Sequence, residues 1–313
     1  MIQPREGHEE GQRQSRQQGR AGRALLALAC GVTILGFAAL FVKWAHAPGS
    51  VTALYRMLFG SALITPVVLA RNRSRAGTIL PSLPRRGVML AALGGVIFGC
   101  DMAIWMTAVG IGGTTMPTLM ANTAPLWVGL GSLLIFRERL RAGFWGGLAL
   151  ALVGVVLTVG RDLGGATASS LGIVLGLAAS IFYASFQLIT QQGRKHLDTL
   201  SYLWISTLGA AAAMLLLNLA LQRNLTGFDG QTWLSFLALG AVVQFVGWLF
   251  INYAQGHMRA STVAPTLLGQ PVITAVLATI ILKEVLTPWH VAGSLAVLAG
   301  VYVVIRSRRK SLD

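Results

Sequence analysis

Charge is scarce in this sequence. Of 313 residues, 11% are charged and only 10 are acidic, where soluble globular chains carry roughly a quarter. A water-facing surface of ordinary polarity cannot be built from so few charges. Stretches of ~10 residues alternating apolar and polar are also missing, which excludes an outer-membrane barrel. Cysteine is down to Cys30 and Cys100, both in apolar runs, without CxxC or metal-ligand spacing, so neither a disulfide framework nor a metal is indicated. No HExxH, GxSxG or Walker A motif occurs in a fitting context, so neither an enzyme activity nor a cofactor is expected.

Apolar residues make up 54% of the chain and glycine contributes 37 positions; mean hydropathy is +0.67. Runs of about 20 apolar residues recur, the length needed to cross a hydrocarbon core of ~30 Å as helix. Breaks of Arg, Gly, Pro and Asp set ten spans, near 24–44, 50–70, 87–110, 115–136, 142–160, 170–190, 199–221, 231–255, 261–282 and 288–306. The fold expected is an all-α polytopic membrane protein. Trp44, Trp145, Trp233 and Trp289 fall at span ends, where interfacial tryptophan gathers. Residues 1–23 are polar and arginine-rich, without the apolar core of a signal peptide, and read as a disordered basic cytoplasmic tail.

With that tail inside, 20 of the 25 basic residues flank inner span ends. This asymmetry puts both termini in the cytoplasm of a multi-pass inner (plasma) membrane protein. The net charge of +15 then reflects topology and anionic lipid, not nucleic acid.

A shift of 146 residues lays ANTAPLWVGLGSLLIFRERL (121–140) over LLGQPVITAVLATIILKEVL (267–286). Pro125 meets Pro271, Glu138 meets Glu284, Gly147 meets Gly293, and Gly154 meets Gly300. Five spans per half is an odd number, so the halves 24–160 and 170–306 are expected to be inverted repeats, followed by a basic tail at 307–313. Inverted repeats characterise secondary transporters. The chain resembles the EamA-type members of the drug/metabolite transporter superfamily, on Asn122, Pro125 and Glu138 with FRERL, and on Pro265, Gln270, Pro271 and Glu284 with LKEVL. The resemblance implies export of small metabolites by alternating access. Amino acids lead, as for YddG-like relatives, and drugs, amines, sugars or lipid-linked molecules are the alternative cargo. A membrane enzyme or receptor is the remote alternative. The partners expected are a small-molecule substrate and membrane lipid, with a monomer and a homodimer both open.

Polar groups facing lipid are costly, so polar rows at helical spacing should face a cavity or another helix. Such rows nominate Asp101, Trp105, Asn122, Tyr183, Gln187, Gln244, Trp248, Asn252 and Gln270 as substrate-binding, with Phe37 and Phe41 contributed by the first span. The competing reading is interhelical hydrogen bonding. Pro117, Pro125, Pro265 and Pro271 interrupt the fourth and ninth spans and are expected as hinges, Pro125 and Pro271 freeing the carbonyls of Ala121 and Leu267. Glu138 and Glu284 read as ion pairs at span ends. The row Gly147, Ala151 and Gly154, mirrored by Gly293 and Gly300, should pack helices closely.

Asp101 sits in IFGCDMAIWM, about 13 Å in from the outer end of its span, and Arg56 about 9 Å in from the outer end of the preceding one. Two readings stand: a buried Arg56–Asp101 ion pair, or direct work by Asp101 on a substrate ammonium or a proton.

Overall fold

The computed structural model describes residues 22–76, 83–112, 115–159, 170–283 and 287–309. Most of the N-terminal tail, Glu284 and residues 310–313 lie outside them. Helix dominates, and no strand occurs among the described residues. The helices are α1 (Gly22–Trp44), α2 (Gly49–Ala76), α3 (Arg85–Gly112), α4 (Thr115–Ala121 and Ala124–Leu134), α5 (Ala142–Val159), α6 (Ser170–Gly193), α7 (Thr199–Ala220), α8 (Gly230–Gln255), α9 (Ala260–Leu267 and Gln270–Leu282) and α10 (Pro288–Arg309). Eight of these segments are long and apolar enough to cross a membrane; Ala142–Thr158 is a shorter apolar helix. The two halves of α4 fall short singly and together cover the fourth expected span.

The breaks in α4 and α9 follow from proline chemistry. Pro125 and Pro271 have no N–H to donate to the carbonyls four residues earlier. The first half of α4 ends at Ala121 and the second begins at Ala124; the first half of α9 ends at Leu267 and the second begins at Gln270. Corresponding ends are 146 positions apart. Pro265 lies inside the first half of α9 and Pro117 inside the first half of α4, so neither marks a break.

The second half of α4 ends in a second shared device. Arg137 turns left-handed at φ 52°, and Lys283, again 146 positions on, does so at φ 55°. The Glu138 amide donates to the Ser132 carbonyl at 3.0 Å. This bond closes a seven-residue turn after the left-handed residue, one residue wider than a Schellman closure. It turns Glu138 back into the protein, where its carboxylate is buried.

Small residues bring α5 and α10 into backbone contact. A Cβ on Gly300 would stand 2.5 Å from the Gly147 carbonyl oxygen, and one on Gly154 would stand 2.6 Å from that of Gly293. The paired glycines exchange partners, 147 with 300 and 154 with 293. Beneath them Phe144, Leu148, Ala151, Val155, Val297 and Val304 form a buried layer.

At the end of α6, Arg194 ties three chain segments together. Its Nε donates to the Asn252 carbonyl at 2.9 Å and its Nη2 to Thr199 Oγ1 at 2.7 Å. Burial lowers the Arg194 pKa from its ordinary value, against the opposing pull of Asp198. Asp198 caps α7, accepting from the amides of Leu200 and Ser201, and bonds Arg71 at 2.8 Å. Burial alone would raise its pKa; the hydrogen bonds from Arg71 and Ser201 outweigh it and hold the carboxyl below its ordinary value.

Two predictions follow from these contacts. Gly300→Val should destabilise by about 1–3 kcal/mol through overpacking, read as a lower melting temperature in detergent. Gly146→Ala, where an added Cβ meets nothing within 4 Å, should leave it unchanged. Asp198 contributes stability above its unfolded pKa of about 3.9, and that contribution is lost as pH falls through its lower folded value. Asp198→Asn keeps a capping oxygen, so its melting temperature should fall less than that of the wild type between neutral pH and about pH 3.

Candidate functional site

A cavity of about 220 Å³ opens where the broken helices meet α1, α2, α3, α6 and α8. Its lining includes Arg56, Asp101, Trp105, Asn122, Tyr183, Trp248 and Gln270, with Leu35, Ala38, Phe98, Val243, Leu267 and Leu268 supplying apolar wall. Irregular backbone is tolerated at membrane depth where it borders a cavity, and both breaks border this one: Ala121 and Leu267, whose carbonyls the prolines release, are lining residues.

One wall is aromatic. Phe98 lies 4.7 Å from Phe186 in stacked geometry and 5.2 Å from Trp248 edge-on; Tyr183 completes the group 6.3 Å from Phe98. Trp248 is 3% exposed, and its indole Nε1 has no hydrogen-bond partner among the described residues.

Arg56 is held from behind. Its Nε donates to Gln244 Oε1 at 3.1 Å, and Gln244 Nε2 donates in turn to Thr207 Oγ1 at 3.2 Å. Gln244 reaches this position because Gly60, one turn along α2 from Arg56, has no side chain: a Cβ there would stand 2.6 Å from Gln244 Cγ. Gln244 also falls in a π-helical stretch of α8, Leu239–Gly247, a local widening that recurs at functional sites.

Asp101 is 8% exposed and forms no hydrogen bond or ion pair among the described residues. The direct Arg56–Asp101 pair expected from their depths is not formed. The two side chains share the cavity, and Arg56 turns its Nε to Gln244 instead.

The other expected residues divide. Asp101, Trp105, Asn122, Tyr183, Trp248 and Gln270 line the cavity together. Gln244 and Asn252 lie behind Trp248, around a small void of about 10 Å³, and the Asn252 amide donates to the Trp248 carbonyl at 2.9 Å. Gln187 is fully buried away from the cavity and accepts from Gln255. Leu35 and Ala38, not Phe37 and Phe41, bring α1 to the lining. Arg56 as a cavity residue in its own right was missed; an arginine at that depth was the available signal.

The description of the EamA-like transporter family matches residues 22–160 and again 170–306. The chain belongs to the EamA-like transporter family. That family is one of membrane transporters, not enzymes. A Salmonella typhimurium protein named a probable amino-acid metabolite efflux pump is 29% identical over 178 residues, 54% of this chain and 60% of that protein. The match thus spans less than two thirds of that relative's length. An uncharacterised transporter of Archaeoglobus fulgidus is 25% identical across 90% of this chain and 99% of its own length. A solved crystal structure shares the fold at a TM-score of 0.75 and 19% identity, covering 91% of this chain and 98% of that one.

In this EamA-like chain the break of α4 is anchored to α6. Ser180 Oγ accepts from Trp127 Nε1 at 2.8 Å and from Thr123 Oγ1 at 3.1 Å. The break of α9 is anchored to α1, where Thr274 Oγ1 donates to the Gly36 carbonyl at 3.0 Å. Gln244→Leu should strand the Arg56 guanidinium and cost about 1.5–3 kcal/mol, the range for a hydrogen bond to a charged group. Thermal melting of the detergent-solubilised protein reads this. A variant as stable as the wild type would mean that Gln244 does not hold Arg56.

Proposed function

We propose that this protein exports amino acids across the cytoplasmic membrane by alternating access between two inverted five-helix halves, residues 24–160 and 170–306. The observation that carries the reading is one cavity bounded by both helix breaks and holding an arginine, an aspartate and an aromatic wall. The name of the Salmonella relative supports the substrate class. The shared 146-residue offset of breaks, left-handed turns and exchanging glycine pairs supports the repeat. Substrate-binding roles go to Asp101, Trp105, Asn122, Tyr183, Trp248 and Gln270; Gln244 supports Arg56.

The two ends of the cavity differ. The second half of α4 packs against the first half of α9. Ser261 Oγ donates to Glu138 Oε2 at 2.7 Å, and Arg259 Nη1 lies 3.8 Å from the same oxygen. The first half of α4 and the second half of α9 make no comparable contact among the described residues. With the basic residues facing the cytoplasm, the closed end is cytoplasmic and the conformation is outward-facing. Glu138 then acts as more than a span-end charge: it latches the closed end, and Asn122–Thr123 and Leu268–Gly269 are the hinges, set by Pro125 and Pro271.

Counterflow of a labelled amino-acid panel into proteoliposomes of the purified protein tests the function. Saturable exchange is expected; its absence with folded, inserted protein contradicts the reading. The latch has its own test. Ala264, a cavity residue near the closed end, is replaced by cysteine after Cys30 and Cys100 are changed to alanine. Adding Glu138→Gln should speed labelling by an impermeant maleimide from the cytoplasmic side several-fold. An unchanged rate would mean that Glu138 does not hold the end shut.

A further inference from the structure

We infer that Arg56 and Asp101 are the two poles of a zwitterion site: Arg56 receives the substrate carboxylate and Asp101 its ammonium, so the cavity selects molecules that carry both. This rests on the transport reading and names the residues that set its specificity.

The argument begins with cost. A charged group inside a bilayer needs a partner or water, and a charge buried without compensation is strongly destabilising. Two opposite charges in one small cavity would ordinarily collapse on each other. Here they do not pair. Arg56 is tethered by its Nε to Gln244 at 3.1 Å, a bond that Gly60 makes room for. One edge of the guanidinium is thereby used and its remaining N–H groups are left for an anion, the planar fork that suits a carboxylate. Asp101, on the neighbouring helix, takes no hydrogen bond from any described residue while 8% exposed.

Two features fix the polarity. Asp101 is an acceptor only when ionised and Arg56 a donor only, so a ligand bridging them presents a cation to one and an anion to the other. The carbonyls of Ala121 and Leu267 add acceptors where an ammonium has hydrogens to spare. The aromatic faces of Phe98 and Tyr183 leave an apolar wall for a side chain. At about 220 Å³, the space is below the ~300–1,000 Å³ of pockets for drug-sized ligands and fits a small zwitterion.

A crossed ligand experiment on the purified full chain tests the assignment. The probes are L-phenylalanine, its methyl ester, which keeps only the ammonium, and N-acetyl-L-phenylalanine, which keeps only the carboxylate. Wild-type protein should bind the zwitterion roughly 10- to 100-fold more tightly than either derivative, the worth of one charged hydrogen bond. Arg56→Gln should weaken L-phenylalanine by a similar factor and leave the ester within about twofold. Asp101→Asn should weaken L-phenylalanine and leave the N-acetyl derivative within about twofold. Arg56→Lys, which keeps the charge, should recover part of the binding and serves if Arg56→Gln fails to fold. Equal weakening of zwitterion and ester by both Arg56 variants would overturn the role of Arg56. No binding of any probe by folded wild type would overturn the site assignment, and counterflow of other amino acids by that protein would still leave the transport reading standing.

Discussion

Arg56 and Asp101 line one cavity of about 220 Å³ without pairing, and the contact that holds Arg56 elsewhere organises much of the structure around them. The bilayer makes each charge expensive, and their mutual attraction in a poorly screened interior is the cheapest relief. The chain resists it by giving Arg56 a fixed partner on another helix. That partner, Gln244, depends on a glycine on α2 and on a π-helical stretch of α8. Gln244 is itself held by Thr207 on α7. Three helices therefore bear on where one guanidinium points.

The cavity that receives these charges exists because two helices stop and restart beside it. A continuous α4 or α9 would close its backbone hydrogen bonds and present only side chains. Proline prevents that at Pro125 and Pro271, and the broken ends are fastened outward, through Ser180 to α6 and through Gly36 to α1. Each broken helix thus stays attached to a neighbour beside its break. The glycine contacts between α5 and α10 hold those two helices backbone to backbone. Closely packed pairs and helices broken beside a cavity are what the alternating-access proposal draws on.

Much of this was legible in the sequence, and the failures have physical causes. Span positions and the close packing at the glycine rows followed from length, hydropathy and glycine spacing, since these are local properties of the sequence. The polar rows found Asp101, Trp105, Asn122, Tyr183, Trp248 and Gln270 because a cavity-facing row keeps helical periodicity. The same periodicity misled at Gln187, which bonds Gln255: a polar row facing another helix looks identical to one facing a void. Gln244 was assigned to the substrate rather than to Arg56 because no sequence pattern tells a π stretch from an α-helix. The expected Arg56–Asp101 pair failed for a related reason. Depth in the bilayer was estimated well enough to bring both residues to one cavity, but a competing partner from a helix 188 residues away could not be seen. At Glu138 the sequence showed a charge at a span end, and only the left-handed turn at Arg137 reveals that the carboxylate is turned inward.

The most direct test of the central claim is a structure of the protein with a transported amino acid bound. The account predicts the ligand between the helix breaks, its carboxylate within hydrogen-bond distance of the Arg56 guanidinium and its ammonium beside Asp101, with the Arg56–Gln244 bond intact. A ligand bound with its charges turned the other way, or an Arg56–Asp101 pair closing the space between them, would contradict it.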